Sequence, residues 1–171
     1  MTKRKLKNYL NDLNKEQIEE QVLDLYDRFK EVKGYYDFAF NPKEDKLLEE
    51  SKFKIAKEYF PIGKRKAKLR RSVAQKIIKK CKTLQLDPQY IIEIMLYNIE
   101  IATTYTAEKS IKQDAFYKSM LKSFEEMLAY ISLNGLIQDY ISRIESIVSR
   151  IEEQKWFNYP AFTKELEDLV S

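Results

Sequence analysis

Apolar residues recur at helical spacing along almost the whole chain, and punctuation residues divide that pattern into helices. Leu6, Tyr9, Leu10 and Leu13 form one apolar face. Asn14 then fits an N-cap with Gln17 at the capping-box position, and Ile18, Val22, Leu25, Tyr26 and Phe29 continue the pattern to about Lys33. Gly34 reads as a helix stop, with the aromatic connector GYYDFAF behind it. Asn41-Pro42 opens a helix that runs to Phe60 and is ended by Pro61 and Gly63. A basic helix over 64–85 follows, and Asp87-Pro88 starts another to about Tyr105. The next spans about 108–133, with Phe116, Met120, Phe124, Met127 and Ile131 on one stripe, until Asn134-Gly135 breaks it. Ile137, Ile141, Ile144, Val148 and Ile151 then repeat at the 4-3 spacing of a helix-pair seam. A second aromatic connector, WFNYPAF, precedes a short closing helix from Thr163 to Val170.

The pattern predicts an all-α chain of seven to eight helices folded as a compact multi-helix bundle, with a short α-solenoid of helix hairpins as the alternative. Composition agrees. Three Gly and four Pro are too few for the turns of a sheet protein, and 44% hydrophobic residues suffice for a core. At 171 residues the chain reads as a single helical domain. A division, if there is one, is expected near Thr106, between a 1–105 core and acidic helices over 106–171.

Charge changes the picture. Residues 54–85 hold 12 basic side chains and one acidic one, Glu58, whereas residues 86–171 hold 8 basic and 14 acidic. On a wheel of the predicted helix 64–85, Leu69, Val73, Ala74, Ile77, Ile78, Cys81 and Leu84 share one half. Lys64, Arg65, Lys68, Arg71, Lys76, Lys79 and Lys82 share the other. Solvated helices ordinarily mix Glu with Lys, because i,i+4 pairs add a few tenths of a kcal/mol each. A single-sign strip forgoes that gain and adds repulsion. Three things could offset it: a nucleic-acid backbone held without sequence preference, an acidic protein surface of this chain or another copy, or plain screening by salt. The seven cations are therefore the candidate polyanion-binding residues. Arg70 projects toward the apolar half and needs a partner. Glu93 and Glu100, seven residues apart on one face of the following helix, are the predicted partners.

Catalytic chemistry is thinly represented. Histidine is absent, which removes His-based nucleophile pairs and His metal sites. Cys81 falls on an apolar face and reads as an inert core thiol. Three scattered glycines make no phosphate loop. No enzyme activity, metal or cofactor is assigned, and a binding protein is the expectation. The N-terminal residues lack an apolar signal core and no run is long enough to cross a membrane, so a cytoplasmic location is the default.

The stretches KRKLKNYLNDLNKEQIEEQVLDLYDRFK, FNPKEDKLLEESKFKIAKEYFP, RRSVAQKIIK and DPQYIIEIMLYNIEIA, within the first 105 residues or so, resemble an uncharacterised bacterial family of the domain-of-unknown-function kind. That resemblance implies an all-helical protein and assigns no site residue. The opening hairpin also has the outline of SAP-type DNA-binding modules, but lacks their Gly and places Glu16, Glu19 and Glu20 where cations are wanted. No DNA contact is assigned to it.

Overall fold

The computed structural model describes residues 2–170. Among them the chain is all-helical, with nine helices and no strand: α1 Lys3–Asn11, α2 Lys15–Arg28, α3 Lys30–Phe40, α4 Glu44–Tyr59, α5 Arg71–Thr83, α6 Pro88–Glu108, α7 Asp114–Leu133, α8 Ile137–Glu153 and α9 Tyr159–Val170. The count exceeds the expected seven to eight because the first aromatic connector is itself a helix. The break falls at Phe29, extended at φ −116°, ψ 114°, and α3 runs straight through Gly34. The chain forms two compact units, Met1–Lys43 and Glu44–Ser171. Thr106 lies inside the second, in the last turn of α6.

The first unit holds α1 to α3. Asn14 caps α2 as a full capping box: its Oδ1 accepts from the Gln17 amide at 2.9 Å, and Gln17 Oε1 accepts from the Asn14 amide at 3.0 Å. α2 packs on α3, where Tyr36 contacts Tyr26, Tyr35 and Phe40 at ring separations of 5.5–6.5 Å. No residue of the three helices is buried.

The second unit is built around α6. Asp87 caps it through the Gln89 amide at 2.9 Å and Pro88 occupies its first turn. Apolar residues surround the helix: Ile91, Ile92, Ile94, Met95, Leu96 and Ile99 are all buried. Apart from the face that carries Glu93 and Glu100 the helix is apolar and has to be enclosed, and α4, α5, α7 and α8 all pack on it. The predicted α7 stripe from Phe116 to Ile131 is buried throughout. On α8, Ile144, Val148 and Ile151 are buried, together with Ile147. WFNYPAF contributes to the core, because α9 begins at Tyr159 and Trp156 and Phe162 are buried against Phe116 and Phe124. Cys81 is fully enclosed, and burial pushes its thiol above the ordinary range, as an inert core cysteine requires.

Three helices in this unit end alike. The amides of Leu86, Leu136 and Trp156 reach back to the carbonyls of Cys81, Ile131 and Ile151 at 3.1–3.3 Å. Between them Gln85, Gly135 and Lys155 adopt φ of 56°, 68° and 53°. This is the Schellman ending, in which an apolar residue re-enters the core beyond a left-handed one.

Candidate functional site: a cationic cleft between α4 and α5

The basic segment is not one helix. Only Arg71–Thr83 is helical, and residues 61–70 form a loop that closes back on the end of α4. Pro61 cannot extend the α4 hydrogen-bond ladder, and Gly63 turns the chain at φ 75°. The amides of Lys68 and Leu69 then donate to the Glu58 carbonyl at 2.9 and 3.1 Å, satisfying an acceptor that the helix end leaves open. This return holds Leu69 at φ 53°, a left-handed conformation that is costly for a non-glycine residue.

The Glu58 side chain fastens the same turn. Arg70 grips it with both arms of its guanidinium, Nε to Oε2 at 2.8 Å and Nη2 to Oε1 at 2.7 Å. These charge-assisted bonds hold the Glu58 carboxyl below the usual glutamate range. The predicted pairing of Arg70 with Glu93 or Glu100 is thereby corrected, since Arg70 lies in the loop before α5 and meets the acid beneath it. Glu93 and Glu100 are instead bound by Arg143 of α8. Its Nε and Nη2 reach the two Glu100 oxygens at 2.6 and 2.8 Å, and its Nη1 reaches Glu93 at 2.6 Å. Lys52 of α4 adds a longer contact to Glu93 at 3.7 Å. Three helices are joined through this cluster, and the bonds to Glu100 push the Arg143 guanidinium pKa upward.

The seven cations predicted to form one strip fall into three settings. Lys64, Arg65 and Lys68 are exposed on the loop, as is Lys66. Arg65, Lys66 and Lys68, with Lys57 from the last turn of α4 and the Glu58–Arg70 pair, surround a cleft of about 480 Å³ over Pro61 and Ile62. Arg71 leaves the strip: its side chain is only 17% exposed, and its Nη2 donates to Glu126 of α7 at 2.7 Å and its Nε to Ser123 at 2.8 Å. Its placement as an open cation is corrected, because α7 runs beside the first turn of α5. Lys76, Lys79 and Lys82 are exposed along α5. Lys79 and Lys82 border a second groove of about 750 Å³ between α5 and α7, where Lys82 Nζ stands 4.1 Å over the Tyr130 ring.

Among the described residues, Lys64, Arg65, Lys66, Lys68, Lys76, Lys79 and Lys80 form no ion pair. The first turn of α5 also holds no acid and its N-cap residue, Arg70, makes no side-chain cap. The positive end of that helix therefore adds to the field over the loop. A cleft in which four cations stand around a single Glu58–Arg70 pair has room for an anion with several separated charges.

These features define an all-helical protein. The chain belongs to the family of unknown function DUF6155, whose family model matches residues 1–169, consistent with the resemblance carried by its first 105 residues. No curated protein and no solved structure matches it. Among the described residues, no helix is long and apolar enough to cross a membrane.

Proposed function

We propose that the protein binds a phosphate-bearing polyanion, a nucleic-acid backbone being the best fit, through the cleft formed by Lys57, Arg65, Lys66 and Lys68. Lys64 and the α5 lysines Lys76, Lys79 and Lys80 extend the contact. The observation that carries this reading is that, among the described residues, none of these groups forms an ion pair, while Arg70 and Arg71, their neighbours in sequence, are each bound to a glutamate. The paired arginines fix the loop and the start of α5, and the unpaired ones face solvent. Each phosphate contact would release condensed counterions, so affinity should depend steeply on salt and little on sequence. No aromatic ring is among the residues lining the cleft, and Pro61 and Ile62 cannot stack bases, so a duplex suits it better than a single strand.

The test is fluorescence anisotropy with a labelled duplex at low salt. Replacing Lys64, Arg65 and Lys68 together by Gln should weaken binding at least about tenfold. Replacing Lys112, Lys118 and Lys122, exposed elsewhere on the second unit, should change it little. Equal affinities in the two triple variants would contradict the assignment.

The α5–α7 groove favours a second reading. Ile78, Met95 and Leu133 give it apolar walls beside Lys79 and Lys82, which suits an acidic amphipathic helix from a protein partner. On that reading duplex binding is absent, and Leu133→Glu abolishes capture of an acidic amphipathic peptide.

A further inference from the structure

The first unit presents a different surface, independent of the cationic cleft. Leu6, Tyr9, Leu23, Leu25, Phe29 and Phe40 are all exposed within its 43 residues, Phe40 at 83% and Leu23 at 64%. Between α2 and α3 lies a groove of about 320 Å³ lined by Val22, Leu23, Tyr26, Tyr36 and Phe40. Its acid, Asp37, is occupied by the Tyr26 hydroxyl, which donates to it at 2.6 Å. Apolar surface this concentrated marks an interaction site.

Charge identifies the occupant. α1, KRKLKNYLN, carries Lys3, Arg4, Lys5 and Lys7 and no acid. α2 carries Glu16, Glu19, Glu20, Asp24 and Asp27 against Lys15 and Arg28. Within α2, Lys15 pairs with Glu19 and Arg28 with Asp24. Glu16, Glu20 and Asp27 form no ion pair among the described residues, nor do the four cations of α1. The unit thus offers a basic amphipathic helix and, separately, an apolar groove beside an acidic helix. Such a pair of surfaces is complementary to itself across a two-fold axis.

We propose that the first unit is a self-association module, in which α1 of one copy lies along the α2–α3 groove of a second copy and the reciprocal contact closes a dimer. Leu6 covers Leu23 and Phe40 of the other copy, and the α1 cations meet the free carboxylates of its α2. Such a contact removes apolar surface from water at both grooves and neutralises both charge excesses, and it weakens as salt rises.

Sedimentation equilibrium of the full chain tests this. A monomer–dimer equilibrium is expected. Leu23→Glu should raise its dissociation constant at least about tenfold. Leu23 faces solvent, so the variant keeps its fold, which circular dichroism checks. Val170→Glu, at a 60% exposed position of the second unit, should leave the constant unchanged. Lys5→Glu with Lys7→Glu should weaken the dimer, and adding Glu16→Lys with Glu20→Lys should restore it. A chain that stays monomeric, a dimer indifferent to Leu23→Glu, or a charge reversal without restoration overturns the proposal.

Discussion

The two units solve the problem of apolar surface in opposite ways. Among the described residues, the second buries 25 hydrophobic side chains, and α6 contributes seven of them. The first, which is a quarter of the chain, buries none among its described residues, and six large apolar residues there face solvent. Each fully buried aliphatic side chain contributes roughly 1.5–3 kcal/mol, so the second unit has a driving force of its own. The first is held by local devices: the Asn14–Gln17 capping box, the Tyr26–Asp37 hydrogen bond and aromatic contacts along α3. Helical periodicity thus reports an apolar face without reporting what covers it. Similar amphipathic patterns lead to a closed core in one region and to an open face in the other.

Truncating the core should break the second unit and spare the first. Phe124→Ala removes a fully buried ring 5.1 Å from Phe162, and should cost about 3–4 kcal/mol in urea unfolding. Leu25→Ala, at a 44% exposed position of α2, should cost no more than about 0.5 kcal/mol. Equal losses would erase the distinction. Arg143→Ala comes next, at about 2 kcal/mol, because it leaves Glu100 without its guanidinium and Glu93 with only the longer Lys52 contact. Arg143→Lys should recover only part of this, since an ammonium cannot reproduce the two-armed grip on Glu100.

The cap of α2 gives a smaller effect, confined to the first unit. Asn14→Ala removes the cap of α2 and should cost that helix about 1 kcal/mol. Hydrogen exchange should show faster exchange in α2 and none of that change in α6, whereas a protein-wide response would make the units one cooperative body. The smallest effect is pH-dependent. Arg70 lowers the folded-state pKa of Glu58, so their clasp stabilises the loop above the ordinary glutamate value of about 4.3 and is lost as pH falls below it. Amide exchange at Lys68 and Leu69 should therefore quicken in acid, and Glu58→Gln should remove that dependence.

Much of the helical framework was legible. Asn14, Asp87-Pro88 and Asn134-Gly135 mark real boundaries, because caps, proline and a left-handed turn act within a few residues. Gly34 misled, since an exposed helical position with nothing near its missing Cβ tolerates glycine. The basic segment is legible in the sequence as charge but not as shape. Wheel geometry assumed that residues 64–70 were helical, whereas the bonds from Lys68 and Leu69 to Glu58 form only once the chain has folded back. Glu58 was nonetheless a signal for the Arg70 partner, being the one acid in residues 54–85. The role of Arg143 was hidden because its carboxylates lie 43 and 50 residues away and nothing local announces a contact between α6 and α8.

The most direct measurement is the salt dependence of duplex binding, with the logarithm of the association constant plotted against that of the salt concentration. Four to six phosphate contacts correspond to a slope of roughly −4 to −5. Replacing Lys64, Arg65, Lys66 and Lys68 by Gln should flatten it by about 3 to 4, one contact at a time. A slope that survives those four replacements, or a native chain that does not bind the duplex at low salt, would contradict the assignment of the open cations to a phosphate backbone.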